Sequence, residues 1–426
     1  MQKRSRVLGF LAGCAGMAGV CAILAVLAYQ VPWVRGQVEY RWVSLRAQVV
    51  YALNPPEEVV FTPDPTVVAA VRASLTAPTP TRTPGPTQIP SITAEPTLIP
   101  TPIPTRVVLE GVRHEYQGWN NCGPATLSMG LSFWGWDGTQ GRVAMVVKPN
   151  DRDKNVMPYE MIAFVEEETG LRALTRVGGS LDLLRSLIAG GFPVIVEKGF
   201  EGIRFEGWMG HYLLLNGYDE SLGEFIAQDS YNGPNQRIAD DQLEAYWRHF
   251  NFTFLVIYPA ERENELLGIL GPMADPVVAG QVAAQRSSDD IFALTGRDQY
   301  FAWFNRGSSL MLLQDYSGAA AAYDMAFSLY PNIAADERPW RMLWYQTGPY
   351  FAYYFSGRYN DVINLATTTL GAMDEPILEE SFYWRGMARE ALGDVAGAIE
   401  DYRASVDHHP DFGPGMDALA RLGATP

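Results

Sequence analysis

From Pro78 to Pro104 nine of 27 residues are proline, and most of the others are Thr, Ile, Ser or Ala. Proline fixes φ and removes a backbone donor, so this run builds no core and extends as a polyproline-II-like stalk of roughly 80 Å. A plain spacer is preferred over a glycosylated segment or a ligand for proline-recognising modules. Whatever folds in the 426-residue chain must therefore lie before or after it, and the length argues for two to three domains.

Before it, Lys3, Arg4 and Arg6 precede a stretch from Val7 to Val34 that holds no charged residue. Its most apolar part, Leu8 to Tyr29, would rise about 33 Å as a helix, enough to cross a hydrocarbon core. Residues 1–30 are expected to form an uncleaved signal anchor, a transmembrane helix, with 31–106 as juxtamembrane segment and Pro/Thr-rich stalk. Arg35, Arg41 and Arg46 nearly balance the N-terminal cations, and the orientation with the N-terminus inside is preferred. Leu11-Ala12-Gly13-Cys14 offers an alternative, a lipobox with Cys14 lipidated. Both readings give a chain held at the cell membrane with its domains on the extracytoplasmic side.

The net charge of −16 is unevenly spread. Residues 107–260 hold 12 basic and 20 acidic side chains, and residues 261–426 hold 11 and 23. Two acidic folded regions disfavour phosphate-backbone contacts, so nucleic acid is excluded as the expected partner.

Cysteine usage is sharper. Cys14 and Cys21 fall in the apolar segment, leaving Cys122 alone, without a disulfide partner. A lone thiol is either buried and inert or kept for its reactivity. In Gln117-Gly118-Trp119-Asn120-Asn121-Cys122-Gly123-Pro124, Pro124 suits a first helical turn, and Leu127, Leu131 and Trp134 follow on one face. The thiol then lies just before a helix N-terminus, where dipole and free N–H groups favour a thiolate. Gln117 stands where its amide could donate to an oxyanion.

Five histidines are available as a base. His408 and His409 lie near the C-terminus, His114 near the stalk, and His249 in a helical stretch. His211 opens the apolar run through Tyr218, which predicts a buried strand, and a second strand follows through Phe225–Asp229. A hairpin centred near Ser221 puts Asp229 opposite Leu213 and on the face of His211; a slip of one residue puts it on the other face. Pro158–Thr169 and Leu181–Ala189 read as amphipathic helices, and Phe192–Val196 as a buried strand. Asp151-Arg152-Asp153-Lys154-Asn155 imitates a calcium loop but has Val156 and Ile162 where Gly and Glu belong, and reads as a turn.

In motif order these residues resemble the papain-like cysteine peptidases of the bacteriocin-processing, double-glycine-leader type. The likeness rests on Gln117 with Asn121 to Ala125, on Gly210-His211-Tyr212 with Gly217-Tyr218-Asp219, and on Gln228-Asp229-Ser230. It implies an α/β (α+β) papain-like domain over 107–260, with Gln117 as oxyanion donor, Cys122 as nucleophile, His211 as base and Asp229 as base orienter. It implies no cofactor and no metal. No lysine follows a glycine, so the ATPase loop of the transporter members is absent and their substrate preference does not carry over.

Beyond a connecting helical segment at 261–298, residues 299–426 repeat. Trp303, Gly307, Ala319, Tyr323, Ala326 and Pro331 recur as Phe382, Gly386, Ala398, Tyr402, Ser405 and Pro410, an offset of 79. Both sets fit the tetratricopeptide pattern, with a degenerate middle repeat turning at Gly357-Arg358-Tyr359 and a lengthened connection near Trp340. This predicts an all-α solenoid that binds a protein partner. Tyr350, Phe351, Tyr353, Tyr354 and Phe355 are expected to pack between helices rather than line a groove.

The expected protein is a membrane-tethered cysteine peptidase acting on a peptide or protein through a Cys-His-Asp triad. The alternatives are a non-hydrolytic peptide-binding envelope adaptor and a thiol acyltransferase on the same fold.

Overall fold

The computed structural model describes residues 61–76 and 103–426 apart from 151, 154 and 203–206, with scattered positions among residues 17–53. The anchor and most of the stalk lie outside the described residues. Among the described residues no single helix is long and apolar enough to cross a membrane.

The chain from Glu57 to Pro426 is one compact unit. Its first element, α1 (Pro65–Thr76), falls in the stretch read from the sequence as juxtamembrane. Phe61, just before it, packs against Phe327 and Tyr353 at ring distances of 5.6 and 5.5 Å. Buried Phe61 and Val68 thus belong to the core of the C-terminal helices.

Three helices follow β1 (Arg106–Val108): α2 (Cys122–Phe133), α3 (Gln140–Val147) and α4 (Pro158–Glu168). Then come β2 (Arg172–Arg176), α5 (Leu181–Ala189), β3 (Val194–Glu201), β4 (Trp208–Asp219), β5 (Glu224–Asp229), β6 (Gly233–Ala239), α6 (Asp240–Trp247) and β7 (Phe254–Tyr258). The strands make one antiparallel sheet in the order β2-β7-β3-β4-β5-β6, and β1 pairs with β4 past the end of β3. Side chains alternate across a sheet, so consecutive residues of β3 and β4 feed different cores. Ile195, Tyr212 and Leu214 pack with Leu127, Leu131 and Phe164 from α2 and α4. Val194, Val196, Leu213 and Leu215 pack with Leu184 and Leu187 of α5 and Trp247 of α6.

The remainder is helical: α7 (Glu263–Leu270), α8 (Pro276–Ala293), α9 (Gly296–Leu312), α10 (Tyr316–Leu329), α11 (Met342–Tyr345), α12 (Gly348–Phe355), α13 (Tyr359–Gly371), α14 (Glu379–Ala391), α15 (Val395–His408) and α16 (Gly413–Arg421). Three hairpins, α9/α10, α12/α13 and α14/α15, carry the repeat. Asp315 caps α10 by accepting from the Gly318 N–H at 2.9 Å, and Asp394 caps α15 in the same way from Gly397 at 3.0 Å. The glycine in each first helix has a steric cause. A Cβ at Gly307 would stand 2.6 Å from the Tyr323 ring, and one at Gly386 2.7 Å from Tyr402. Between the first two hairpins the long connection near Trp340 folds as α11.

The aromatic run divides. Tyr350 and Tyr353 are fully buried between helices, whereas Phe355 is 54% exposed and packs with Phe351 and Trp384 at the surface.

Candidate active site

α2 starts at Cys122, with Asn121 in the cap position. The loop leading to it is held from α3 and the turn beyond. Gln140 Oε1 accepts from the Gly118 N–H and from Asn121 Nδ2, each at 2.8 Å, while its Nε2 donates to the Tyr116 carbonyl at 2.7 Å. The buried Lys148 ammonium donates to the carbonyls of Trp119 and Asn120 at 3.4 and 3.2 Å. Asn120 takes a left-handed φ of 48°, which Asn tolerates better than most residues. A loop so fixed presents the next side chain, the thiol, in one place.

That place is the edge of β4. β5 pairs with β4 only from Leu214 to Asp219, so among the described residues no strand pairs with Trp208 to Leu213 on that side. The Tyr212 backbone faces this open edge: its carbonyl accepts from Thr126 Oγ1 of α2 at 3.2 Å, and its N–H reaches the Cys122 thiol. The Gly123 N–H and the imidazole of His211 also act on the thiol. It is partly exposed.

His211 and Asp229 share the face of the sheet opposite α2. His211 Nε2 lies 3.0 Å from Asp229 Oδ1, and the two side chains are 4% and 5% exposed. With Nε2 engaged by the carboxylate, Nδ1 is the nitrogen left for the thiol. Asp229 is itself fixed, accepting from the N–H groups of Tyr231 and Asn232 at 2.9 and 3.0 Å and from Asn232 Nδ2 at 2.7 Å.

The register that brings them together has a specific cause. At the turn, Asp219 pairs with Glu224 and Gly217 with Ile226, a frame that would set Asp229 across from Leu214, on the face away from His211. The register shifts by one between Leu215 and Gly217, so Leu214 pairs with Gln228 and Asp229 turns to the His211 side. The extra residue, Asn216, is tied by its Nδ2 to the Leu109 carbonyl at 3.0 Å.

The charges are mutually supporting. Burial would raise the Cys122 thiol, but the His211 hydrogen bond and charge, with the N–H groups of Tyr212 and Gly123, hold it below the ordinary thiol range. Burial would lower His211, but Asp229 and the thiol hold it above the ordinary imidazole range. Asp229, against the same burial, is held well below the usual carboxylate range by His211 and Asn232. These directions favour a thiolate beside an imidazolium.

Gln117 is attached to the same strand. Its N–H donates to the Ser230 carbonyl at 2.9 Å, and its Oε1 accepts from Ser230 Oγ at 2.8 Å. The four residues singled out in the sequence thus lie on three adjoining pieces of backbone: the loop before α2, the open edge of β4, and the end of β5.

Residues 109–254 match the Peptidase_C39 like family. The chain carries a C39-like peptidase domain. Residues 301–332 and 380–411 match the tetratricopeptide repeat, the first and third of the three hairpins. A solved C39-like peptidase from Bacillus anthracis is similar at 15% identity, over 36% of this chain and 96% of that one, with a TM-score of 0.30. No curated protein matches the chain.

The C39-like domain holds further groups near the thiol that no motif marked. Glu197 is buried on β3 directly across from Tyr212, and burial, with the Cys122 charge, pushes its carboxyl up to about 8 despite a Tyr212 hydrogen bond. Across from His211 on the other face, burial brings Lys198 down to about 8 although Asp229 and Glu201 oppose the shift. Phe200 packs on His211 at 5.2 Å. Glu197 and Lys198 escaped sequence reading because a strand buried on both faces gives no polar alternation to read.

The other histidines are placed elsewhere. His249 is buried and stacks on Phe301 at 3.8 Å, and burial holds its imidazole well below the ordinary range. His114 Nδ1 meets Gln228 Oε1 at 3.2 Å. His409 joins Asp153 and Glu379 in a cluster whose ligand atoms lie within 4.8 Å of one another, a group able to hold a cation.

Proposed function

We propose that the chain is a cysteine peptidase in which Cys122 is the nucleophile, His211 the acid and base, Asp229 the orienting carboxylate and Gln117 an oxyanion donor. One observation carries this reading: the His211 imidazole, 3.0 Å from the Asp229 carboxylate, acts electrostatically on the Cys122 thiol at a helix N-terminus.

In the first half-reaction the Cys122 thiolate attacks the scissile carbonyl carbon, and the carbonyl π pair moves to oxygen. Gln117 Nε2 and N–H groups at the start of α2 stabilise that oxyanion. As the C–N bond breaks, His211 Nδ1 gives its proton to the leaving amine, and a thioester remains. In the second half-reaction neutral His211 takes a proton from water, hydroxide adds to the thioester, and the C–S bond breaks to release the carboxylic acid and restore the thiolate.

The apolar, charge-free stretch from Val7 to Val34 supports a membrane tether, with the stalk holding the peptidase on the extracytoplasmic side. The repeats support recognition of a protein partner.

Incubating the full chain with a peptide mixture and identifying products by mass spectrometry tests this reading. Free carboxyl ends that appear with wild type and vanish in Cys122→Ser are expected. Products joined to an added amine in place of free acids would assign the thiol to acyl transfer, and no product at all would leave a binding domain.

A further inference from the structure

The repeat region and the C39-like domain meet through specific polar contacts. Asn305 Nδ2 donates to the Arg248 carbonyl at 2.7 Å, Gln346 Nε2 to the His249 carbonyl at 2.9 Å, and Asn251 Nδ2 to Ser309 Oγ at 2.9 Å. Arg297 pairs with Glu201 at 2.7 Å. Trp208, the first residue of β4, is buried in the core cluster of the repeats. The helices are thus fixed to the strand that carries His211.

What they cover there is the open edge of β4. In a strand, alternate residues direct both backbone polar groups to the same side. Tyr212 directs its groups to α2 and Cys122, so Gly210 and Trp208 present theirs along the same edge, away from β3. α11 and Arg341, the residue that caps it, lie against both. Arg341 Nη1 donates to the Trp208 carbonyl at 3.0 Å, and the Tyr345 ring, one helical turn on, lies against the Gly210 backbone. The Tyr345 ring lies so close that a Cβ on Gly210 would stand 2.8 Å from its Cδ1, with Phe250 Cζ at the same distance on another side. Tyr345 also packs edge-on to Trp208 at 6.0 Å and stays partly exposed.

This placement bears on the reaction. The group that protonates the leaving amine must lie beside it, so the backbone next to His211 borders the half of the substrate that leaves. Gly210 is that backbone, and the ring against it comes from the repeat region. Resting on the peptidase reading above, we infer that Tyr345 is a specificity-determining residue, forming the wall that meets the substrate residue on the amine side of the scissile bond. The repeats then shape the cleft directly, in addition to any partner they hold. Arg341 is a positioning residue for α11.

Alkylation of Cys122 measures the wall without a known substrate. In the full chain, labelling of Cys122 is followed by peptide mass spectrometry with iodoacetamide, a small probe, and N-benzylmaleimide, a bulky one. Tyr345→Ala is expected to raise the ratio of bulky to small labelling about tenfold. Tyr345→Phe, which keeps the ring, is expected to restore most of the wild-type ratio. Tyr345→Leu gives a second ring-free variant, and circular dichroism checks that each is folded. In the peptide-mixture assay, Tyr345→Ala is expected to broaden the residues accepted after the scissile bond, with the change in KM exceeding that in kcat. An unchanged labelling ratio in folded Tyr345→Ala and Tyr345→Leu overturns the inference whatever the thiol's reactivity. Slow labelling by both probes at every pH, with the ratio still responding to Tyr345, would retain the wall and remove the peptidase.

Discussion

Gln117 and Ser230 hold each other by two hydrogen bonds, backbone N–H to carbonyl at 2.9 Å and Ser230 Oγ–H to Gln117 Oε1 at 2.8 Å. Because the amide oxygen is already accepting, its Nε2 is the end left to donate to a developing oxyanion. Gln117→Ala is expected to lower kcat by about 10²- to 10³-fold with little change in KM. Ser230→Ala, which frees the amide to rotate, is expected to cost about tenfold in kcat. A rise in KM with kcat preserved in Gln117→Ala would place the amide in ground-state binding instead.

Asp229 supports the charge on His211 as well as its orientation. Asp229→Ala should lower kcat by about 10²-fold or more while leaving Cys122 open to alkylation. The imidazole is held above its ordinary range partly by this carboxylate, so removing it should move the alkaline limb of the pH–rate profile to lower pH. An unmoved limb would show that Asp229 does not stabilise the imidazolium.

Glu197 makes a prediction of opposite sign to a salt-bridged acid. Its folded carboxyl titrates at about 8, above the unfolded value of about 4.3. Between those values the unfolded chain releases a proton that the folded one keeps, so stability falls as pH rises from about 4.3 to 8. Glu197→Gln should therefore raise Tm more at pH 8 than at pH 4, read by calorimetry at both. An equal shift at the two pH values would mean that the carboxyl is not held neutral.

The order Gln117, Cys122, His211, Asp229 and the repeat were legible because each residue type sits where local chemistry demands it. Pro124 sits in the first turn of the helix that starts at the thiol, and Gly307 and Gly386 leave room for the Tyr323 and Tyr402 rings. The face of Asp229 was not legible, since it depends on the one-residue register shift at Asn216, and a polar residue at a bulge looks like any other polar residue in a strand. α1 escaped because it packs on helices some 250 residues away in sequence. Tyr345 escaped for the same reason: nothing local marks a residue whose neighbour, Gly210, lies in another domain. The candidate catalytic residues lie in short segments, whereas the contact of Tyr345 with Gly210 exists only in tertiary packing.

The contact between the two folded regions has an energetic consequence. Phe301 is fully buried and stacks on His249 at 3.8 Å, with Trp208 at 5.6 Å. Phe301→Ala is expected to destabilise the chain by about 3–5 kcal/mol. The C39-like domain and the repeats should unfold in one transition, monitored in urea by far-UV circular dichroism and tryptophan fluorescence. Two separated transitions, only one of them moved by the variant, would show that the regions fold independently.

If His211 makes Cys122 a thiolate, the rate of Cys122 alkylation as a function of pH, in wild type and in His211→Ala, reports it. With the thiol below and the imidazole above their ordinary ranges, the ion pair fills the interval between them. Wild type should react rapidly well below pH 8.5, the approximate value of a free thiol, and lose reactivity only as acid protonates the sulfur. In His211→Ala the inflection should move up toward about 8.5. Slow alkylation of the folded protein throughout the acidic and neutral range, unchanged by His211→Ala, would contradict the account and leave Cys122 a structural thiol in a peptide-binding domain.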